Sequence, residues 1–276
     1  MRTIYFHLVL LLFSSAPLVS QAIGTVTMAE SELHVIRGAS VFVGMQGARV
    51  NRGDMLETGS RGTTQMEFGP TVIALGPSSR LLLFSYSASG AEFVLLSGWL
   101  KGEVDPKSGS CQFDTPLLAG AIKQGNLVVH AGADSSEIFV ESGSASVGQV
   151  TSAGSASQLR PAKAGDFFVR QAGKNLTTAA RPAAAFVESM PTPFRDTLPS
   201  HPVKGKAPEL SHGREIEYAQ LRPWLLMPAR WRRELVPRFQ SRLSDPRFRE
   251  ELEAHVQEYP EWDPVLHPEK YSGKSQ

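Results

Sequence analysis

The sequence has almost no cysteine. Cys111 is the single one among 276 residues, so the chain cannot close an internal disulfide. A chain of this length can bury enough apolar surface to be stable without such a link. If the chain is exported, the lack of disulfides fits a bacterial periplasm or exterior better than a eukaryotic secretory route.

Charge of one predominant sign is lacking too. The chain carries 28 Lys and Arg against 27 Asp and Glu, for a formal net charge of +1. Such a balance gives no overall field that would draw the protein to nucleic acid or to an anionic membrane. We therefore expect no nucleic-acid partner.

Long apolar runs are absent after the first residues of the chain. The one strong run is centred on Leu8–Phe13, after Arg2, and small residues follow at the −3 and −1 positions of a cleavage site, Ser20 and Ala22. This is the pattern of a secretory signal peptide, and its core is too short for a comfortable membrane span. We predict a cleaved signal peptide over residues 1–22 and a periplasmic or secreted protein that is not integral to the membrane. An uncleaved anchor helix is the alternative.

Motifs of metal, phosphate and nucleophilic sites are missing as well. The histidines never stand at a metal-binding spacing, and Gly53–Gly59 lacks the Gly-Lys-Ser/Thr of a phosphate-binding loop. We therefore predict no catalytic, metal or cofactor site, and a protein that is not an enzyme. The alternative is a cell-wall or carbohydrate-active enzyme whose site is assembled from the loop acids Asp54, Asp105 and Asp114.

What the sequence does contain, from residue 23 to residue 170, is a series of short β runs separated by turn residues. Seven runs stand out: Ser40–Met45, Thr63–Phe68, Thr71–Leu75, Arg80–Phe84, Ala91–Leu96, Asn126–His130 and Ser136–Ser142. Many short strands with turn punctuation predict a mainly β fold, a sandwich or a solenoid-like domain. Leu95–Val104 and Phe139–Val147 each read as strand, glycine turn and second strand, which predicts two hairpins.

The remainder of the chain changes character twice. Residues 171–213 contain six prolines among alanine, serine and lysine, which predicts an extended, partly ordered linker. Residues 214–276 show a helical period, with Leu235, Phe239 and Leu243 four residues apart, broken by prolines into short helices. Ser244-Asp245-Pro246 is typical of a helix start.

The helical region interleaves aromatic residues with arginines. Trp and Arg are favoured anchors of protein interfaces, so this region is a candidate docking surface for a protein partner or for a polysaccharide. Its predicted members are Trp224, Arg230, Trp231, Arg232, Arg233 and Phe239. The alternative is a small helical unit that packs its own aromatic rings and leaves the arginines in solvent. A third hypothesis makes this region the functional part and the β domain a spacer.

The order of motifs in the β region resembles the FecR-domain family of bacterial extracytoplasmic proteins. The matching pieces are Val50–Phe68 with its Gly-Asp and Thr-Gly steps, Ile73–Ser79, Leu95–Leu100, Thr115-Pro116, Val140–Ala145 and Ala164–Asp166. The resemblance covers about half of the chain and implies a β domain that recognises other molecules. Members of the family relay signals across the inner membrane, but here an export signal directly precedes the β domain. We therefore expect a free-standing exported protein that acts as an envelope binding or signalling-associated module and does not share the sigma-regulator role.

Overall fold

The structure is a computed structural model that describes residues 22–151, 154–157, 159–211 and 213–272. All but the last residue of the predicted signal peptide lies outside these ranges, so the prediction of a signal peptide stays a prediction. Within these ranges no helix combines the length and the apolar character needed to cross a membrane.

The described residues form seventeen strands, six α-helices and six short 3-10 helices. The strands β1–β17 are Ala22–Ala29, Leu33–Arg37, Ser40–Gly44, Arg49–Asn51, Met55–Thr58, Thr64–Phe68, Thr71–Leu75, Arg80–Ser87, Gly90–Val104, Ser110–Asp114, Leu118–Ala131, Ser135–Val140, Ser144–Gln149, Arg160–Lys163, Phe167–Gln171, Thr177–Ala179 and Arg214–Glu215. The helices α1–α6 are Ala184–Ser189, Tyr218–Leu225, Ala229–Arg232, Leu235–Phe239, Pro246–Glu253 and Asp263–Leu266. The 3-10 helices are Pro106–Ser108, Thr192–Arg195, Gln240–Ser244, Val256–Glu258, Pro260–Trp262 and Pro268–Lys270. The predicted mainly β fold is confirmed, and each of the seven predicted runs overlaps a strand.

The strands form two sheets that pack face to face. Sheet A has the order β4-β1-β6-β7-β9-β11-β12-β15-β16. Sheet B has the order β17-β3-β2-β5-β8-β9-β10-β11-β13-β14, with β9 and β10 parallel and the other neighbours antiparallel. The long strands β9 and β11 belong to both sheets, so they join the two layers.

A glycine stands where each long strand passes from sheet B to sheet A. Gly98 in β9 has φ 89° and Gly125 in β11 has φ 117°, a region that other residues rarely adopt. A Cβ added at Gly98 would lie 2.3 Å from Ser79 Oγ, and one added at Gly125 would lie 2.3 Å from the Ser142 carbonyl oxygen. The bends therefore depend on glycine for both conformation and space.

These bends correct the two predicted hairpins. Leu95–Val104 lies inside the single strand β9, so its glycine marks a change of sheet and not a reversal of the chain. Phe139–Val147 runs from the end of β12 in sheet A to the start of β13 in sheet B. The shared pattern of the two segments thus marks the passage between layers.

Alternation along the strands supplies three separate apolar layers. In β8, Leu81 and Leu83 point into the central core between the sheets, whereas Leu82 points outward from sheet B. In β7, Ile73 points inward and Ala74 points outward from sheet A. Both outer faces are therefore apolar, and each needs its own cover.

The outer face of sheet A is covered by part of the predicted linker. We call residues 184–199, which include α1 and the 3-10 turn Thr192–Arg195, the strap. Phe186 and Phe194 of the strap are buried, and the Phe186 ring lies 5.0 Å from Trp99 and 4.9 Å from Phe167. The strap is therefore a packed layer, and the prediction of an extended linker is wrong for these residues.

Lys101 ties the strap to sheet A. This lysine of β9 is 2% exposed, and its Nζ donates to the carbonyl oxygens of Phe194 and Asp196, each at 2.9 Å. The same ammonium lies 2.7 Å from the Glu141 carboxylate. A buried charge is tolerated only when it is paired and hydrogen-bonded, and here every contact partner comes from the strap or from the neighbouring loop of sheet A.

We expect Lys101→Ala to loosen the strap while the sandwich stays folded. The substitution leaves Glu141 and two carbonyl groups without their donor, and breaking a buried ion pair costs about 3–5 kcal/mol. Hydrogen–deuterium exchange should show lost protection over residues 184–199. Lys123→Ala, which removes an exposed lysine of β11, is the matched control and should leave exchange unchanged. Equal protection in the two variants would contradict the role given to Lys101.

The outer face of sheet B is covered by residues 216–266, which we call the helical coat. Sheet B contributes Ile36, Met55, Leu82, Val94 and Ala119 to this layer. The coat contributes buried side chains from each of its α-helices, including Leu221, Leu225, Leu235, Phe248, Leu252 and Leu266. Helix α5 begins as the sequence predicts, because the Asp245 carboxylate accepts from the amides of Arg247 and Phe248.

Candidate functional surface

The aromatic members of the predicted docking surface face sheet B. Trp224, Trp231 and Phe239 have no exposed surface in this structure. The Trp224 indole donates to Glu57 Oε1 at 2.9 Å, and the Trp231 indole donates to Glu92 Oε1 at 3.1 Å. The prediction that these rings are exposed anchors is therefore corrected: all three are buried, and the two indoles fasten the coat to two carboxylates of the sheet.

The three arginines of the predicted surface have different positions. Arg230 forms two hydrogen bonds to the Glu92 carboxylate, at 2.8 and 3.0 Å. Arg232 donates to Glu261 Oε1 at 2.8 Å inside the coat, and Arg233 is exposed. Of the two hypotheses from the sequence, the structure is closer to the helical unit with buried aromatic rings. The rings pack on the β domain, however, and not only on each other.

Glu92 and Asp114 form a buried carboxylate pair beneath Arg230. They are 6% and 1% exposed, and Arg230 Nη1 lies 3.9 Å from Asp114 Oδ2. Burial, helped by the neighbouring charge of Glu92, raises the pKa of Asp114 to about 7, and the Arg230 charge only partly offsets this. Raised carboxyl pKa values often mark functional sites, but Arg230 and Trp231 cover this pair.

The other two loop acids have structural roles. Asp54 follows Gly53, which has φ 82°, and accepts from the Asn51 amide at 2.7 Å. Its two oxygens also accept from Arg37, at 2.9 and 2.6 Å. Asp105 accepts from the Lys107 amide and so begins a 3-10 turn. The three acids of the enzyme hypothesis are thus a turn residue, a cap and a buried group.

Arg238 fixes the same turn from the side of the coat. Its guanidinium donates to the carbonyl oxygens of Ile36, Gly38 and Gly53. Burial lowers the pKa of Arg238 to about 10, against the opposing effect of the Asp54 charge. The Gly-Asp step therefore helps to position the coat through the Gly53 carbonyl, together with the carbonyl groups of Ile36 and Gly38.

The Thr-Gly step and the Pro-Ser-Ser segment are hydrogen-bonded to each other. Thr58 Oγ1 donates to the Gly76 carbonyl at 2.7 Å and accepts from the Ser79 amide at 2.9 Å. Ser79 Oγ in turn accepts from the Trp99 amide at 2.9 Å. These contacts hold the bend at Gly98, so the motifs that carry the family resemblance have a structural explanation.

A free strand edge remains at β16. Among the described residues this strand pairs with β15 alone, and Thr177, Thr178 and Ala179 are all exposed. An unpaired edge presents backbone N–H and C=O groups to any extended chain beside it. The sequence predicts a linker here, because three residues between a Lys-Asn turn and an Arg-Pro step are too few to show an alternating pattern.

A groove runs beside this edge on the outer face of sheet A. It has a volume of about 700 Å³. Its walls are Phe167 and Val169 of β15, Ala179 of β16, and Arg181–Ala184 leading into α1. Apart from Arg181 the lining is apolar, which is typical of a site that takes a side chain of a ligand.

The segment that builds the edge and the groove is basic. Residues 160–184 contain five Lys and Arg and one Asp, a net charge of +4 in a chain whose total is +1. The basic residues are Arg160, Lys163, Arg170, Lys174 and Arg181. This local excess was hidden by the overall balance of charge.

Comparison with known proteins gives no family assignment. No family model matches the chain, and no curated protein is significantly similar to it. Two crystal structures of a candidate anti-sigma factor from Parabacteroides distasonis align with TM-scores of 0.40 at 10% sequence identity. The alignments cover 49% of this chain and 64% and 65% of the other, so this chain spans just under two thirds of that protein. A likeness of this degree carries no argument about function.

Proposed function

We propose that this chain is an exported, non-enzymatic binding module of the bacterial cell envelope that recognises a protein partner. The observation that carries the proposal is the open edge of β16, because both flat faces of the sandwich are already covered by the strap and by the helical coat. Backbone groups at a sheet edge are a common way to bind another protein. The motif order of the FecR-domain family and the predicted signal peptide support the same role.

The proposal is tested by crosslinking in cells. The photoreactive residue benzoylphenylalanine is placed in turn at the exposed positions Met45, Thr178, Leu226 and Gln257 of the full-length protein. We expect ultraviolet light to give a protein adduct from at least one position, in the periplasmic fraction, and mass spectrometry to identify the same partner in the reciprocal experiment. Cells kept in the dark are the control.

Two outcomes would contradict the proposal. One is a lack of protein adducts from all four positions. If glycan adducts formed instead, the ligand would be a polysaccharide and not a protein. The other is hydrolysis of cell-wall glycans by the purified protein that Asp114→Asn abolishes, which would establish the enzyme alternative.

A further inference from the structure

We propose that the edge of β16 binds an extended acidic peptide of a partner protein by adding it to sheet A as a further strand. This inference rests on the proposed function and specifies its surface and ligand. It follows from three independent features of the same place: the free edge, the groove and the local charge.

The register of the last two strands fixes which ligand side chains meet the groove. Phe167 pairs with Ala179 and Val169 pairs with Thr177, so these four residues share the outer face of sheet A. Side chains of an added strand would alternate between the two faces, and those level with Thr177 and Ala179 would lie on this face. An apolar residue at every second position would therefore lie beside Thr177 and Ala179, where the groove opens.

The basic residues on either side of β16 determine which charge the ligand should carry. Arg181 lines the groove just after β16, and Lys174 lies in the turn just before β16. Acidic residues at the two ends of the added strand would be attracted by Lys174 and Arg181. A second copy of this chain is disfavoured as the occupant, because two such edges would bring like charges together.

Other sheet edges of the described structure are less suited to strand addition. In β14, Pro161 has no amide hydrogen to donate. In β4, the Arg49 carbonyl already accepts from Arg37. Next to β3, the chain itself supplies a neighbour, because β17 pairs with Ser40 and Val41 and Ser211 hydrogen-bonds to Val43. A pocket of about 220 Å³ lies beside Arg49 of β4, but it is much smaller than the groove of about 700 Å³ beside β16.

The test uses the full mature protein and a fluorescein-labelled heptapeptide, Asp-Val-Glu-Val-Asp-Val-Glu. We expect saturable binding by fluorescence anisotropy, with NMR shift changes at the amides of Thr177–Ala179. Methylation of alternate peptide nitrogens should weaken binding at least tenfold, since it removes the backbone donors. Arg181→Glu should also weaken binding about tenfold, whereas Arg233→Glu, the same change at an exposed arginine of the coat, should not.

Several results would overturn the inference. If the methylated peptide binds as well as the parent, no strand is added. If Arg181→Glu and Arg233→Glu behave alike, or if dextran sulfate competes as well as the unlabelled peptide, the surface responds to anions in general. If the peptide fails while crosslinks from Met45 or Gln257 reach a protein partner, this inference falls and the proposed function stands. If no position yields a protein adduct, the proposed function falls.

Discussion

Replacing Trp231 with alanine should lower the free energy of unfolding by about 3–5 kcal/mol, the usual cost of truncating a buried aromatic side chain. The indole has no exposed surface, and its N–H donates to Glu92, which is itself buried. The variant therefore leaves both a cavity and a carboxylate with one donor fewer. Urea unfolding followed by circular dichroism measures the loss without depending on tryptophan fluorescence.

Arg233→Ala is the matched control for Trp231→Ala. Both residues belong to the docking surface predicted from the sequence, and they lie two positions apart. Since Arg233 is exposed, its truncation should change the free energy of unfolding by less than about 0.5 kcal/mol. Suppose that Trp231→Ala proved as stable as the parent protein yet lost a crosslinked partner. Trp231 would then belong to a docking surface, as the sequence predicts, and would not be packed against sheet B.

The same packing bears on the hypothesis that the helical region works alone. Removing residues 214–276 would uncover Ile36, Met55, Leu82 and Val94 and would strip Glu57 and Glu92 of their indole donors. A newly exposed apolar sheet face is an aggregation hazard. Loss of a partner from such a truncation would thus reflect misfolding. Point variants of exposed residues therefore test better whether the helical region binds the partner.

The strands could be predicted because their signal is local. Alternation and turn residues indicate where a strand starts and stops, and Asp245 before Pro246 indicates a helix start in the same way. The prediction of hairpins at Gly98 and Gly143 was wrong, because a glycine with positive φ occurs both where a chain reverses and where a strand bends into another sheet. The difference lies in the pairing partner, which the local sequence does not show.

The packing of the coat could not be predicted for a related reason. Trp and Arg at helical spacing form the same sequence pattern whether they belong to an exposed interface or to a buried layer. Glu57 lies 167 residues before Trp224 and Glu92 lies 139 residues before Trp231, so no local pattern links each indole to its acceptor. The edge strand β16 could not be predicted because three residues are too few to show a period. The basic excess over residues 160–184, in contrast, can be counted in the sequence.

Burial of Asp114 predicts an unusual dependence of stability on pH. The pKa of its carboxyl rises from 3.8 to about 7 on folding, chiefly through burial and secondarily through Glu92. Between these two values the folded state holds a proton that the unfolded state has released, so stability falls as the pH rises toward 7. A shift of about three units corresponds to about 4 kcal/mol, which is present at acidic pH and lost above pH 7.

Asp114→Asn should therefore stabilise the protein by up to about 4 kcal/mol at pH 8.5 and by only about 1 kcal/mol at pH 4.5. Asparagine keeps the shape of the protonated acid without the charge that ionisation places beside Glu92. Urea unfolding at the two pH values measures the difference, and Asp134→Asn, at an exposed loop position, should show no such dependence. An equal loss of stability at both pH values would instead mean that Asp114 is ionised throughout and that its attraction to Arg230 outweighs the cost of burial. The carboxylate pair under Arg230 would then be an ion-pair network that holds the coat, and the coat would be weakened by acid instead of by base.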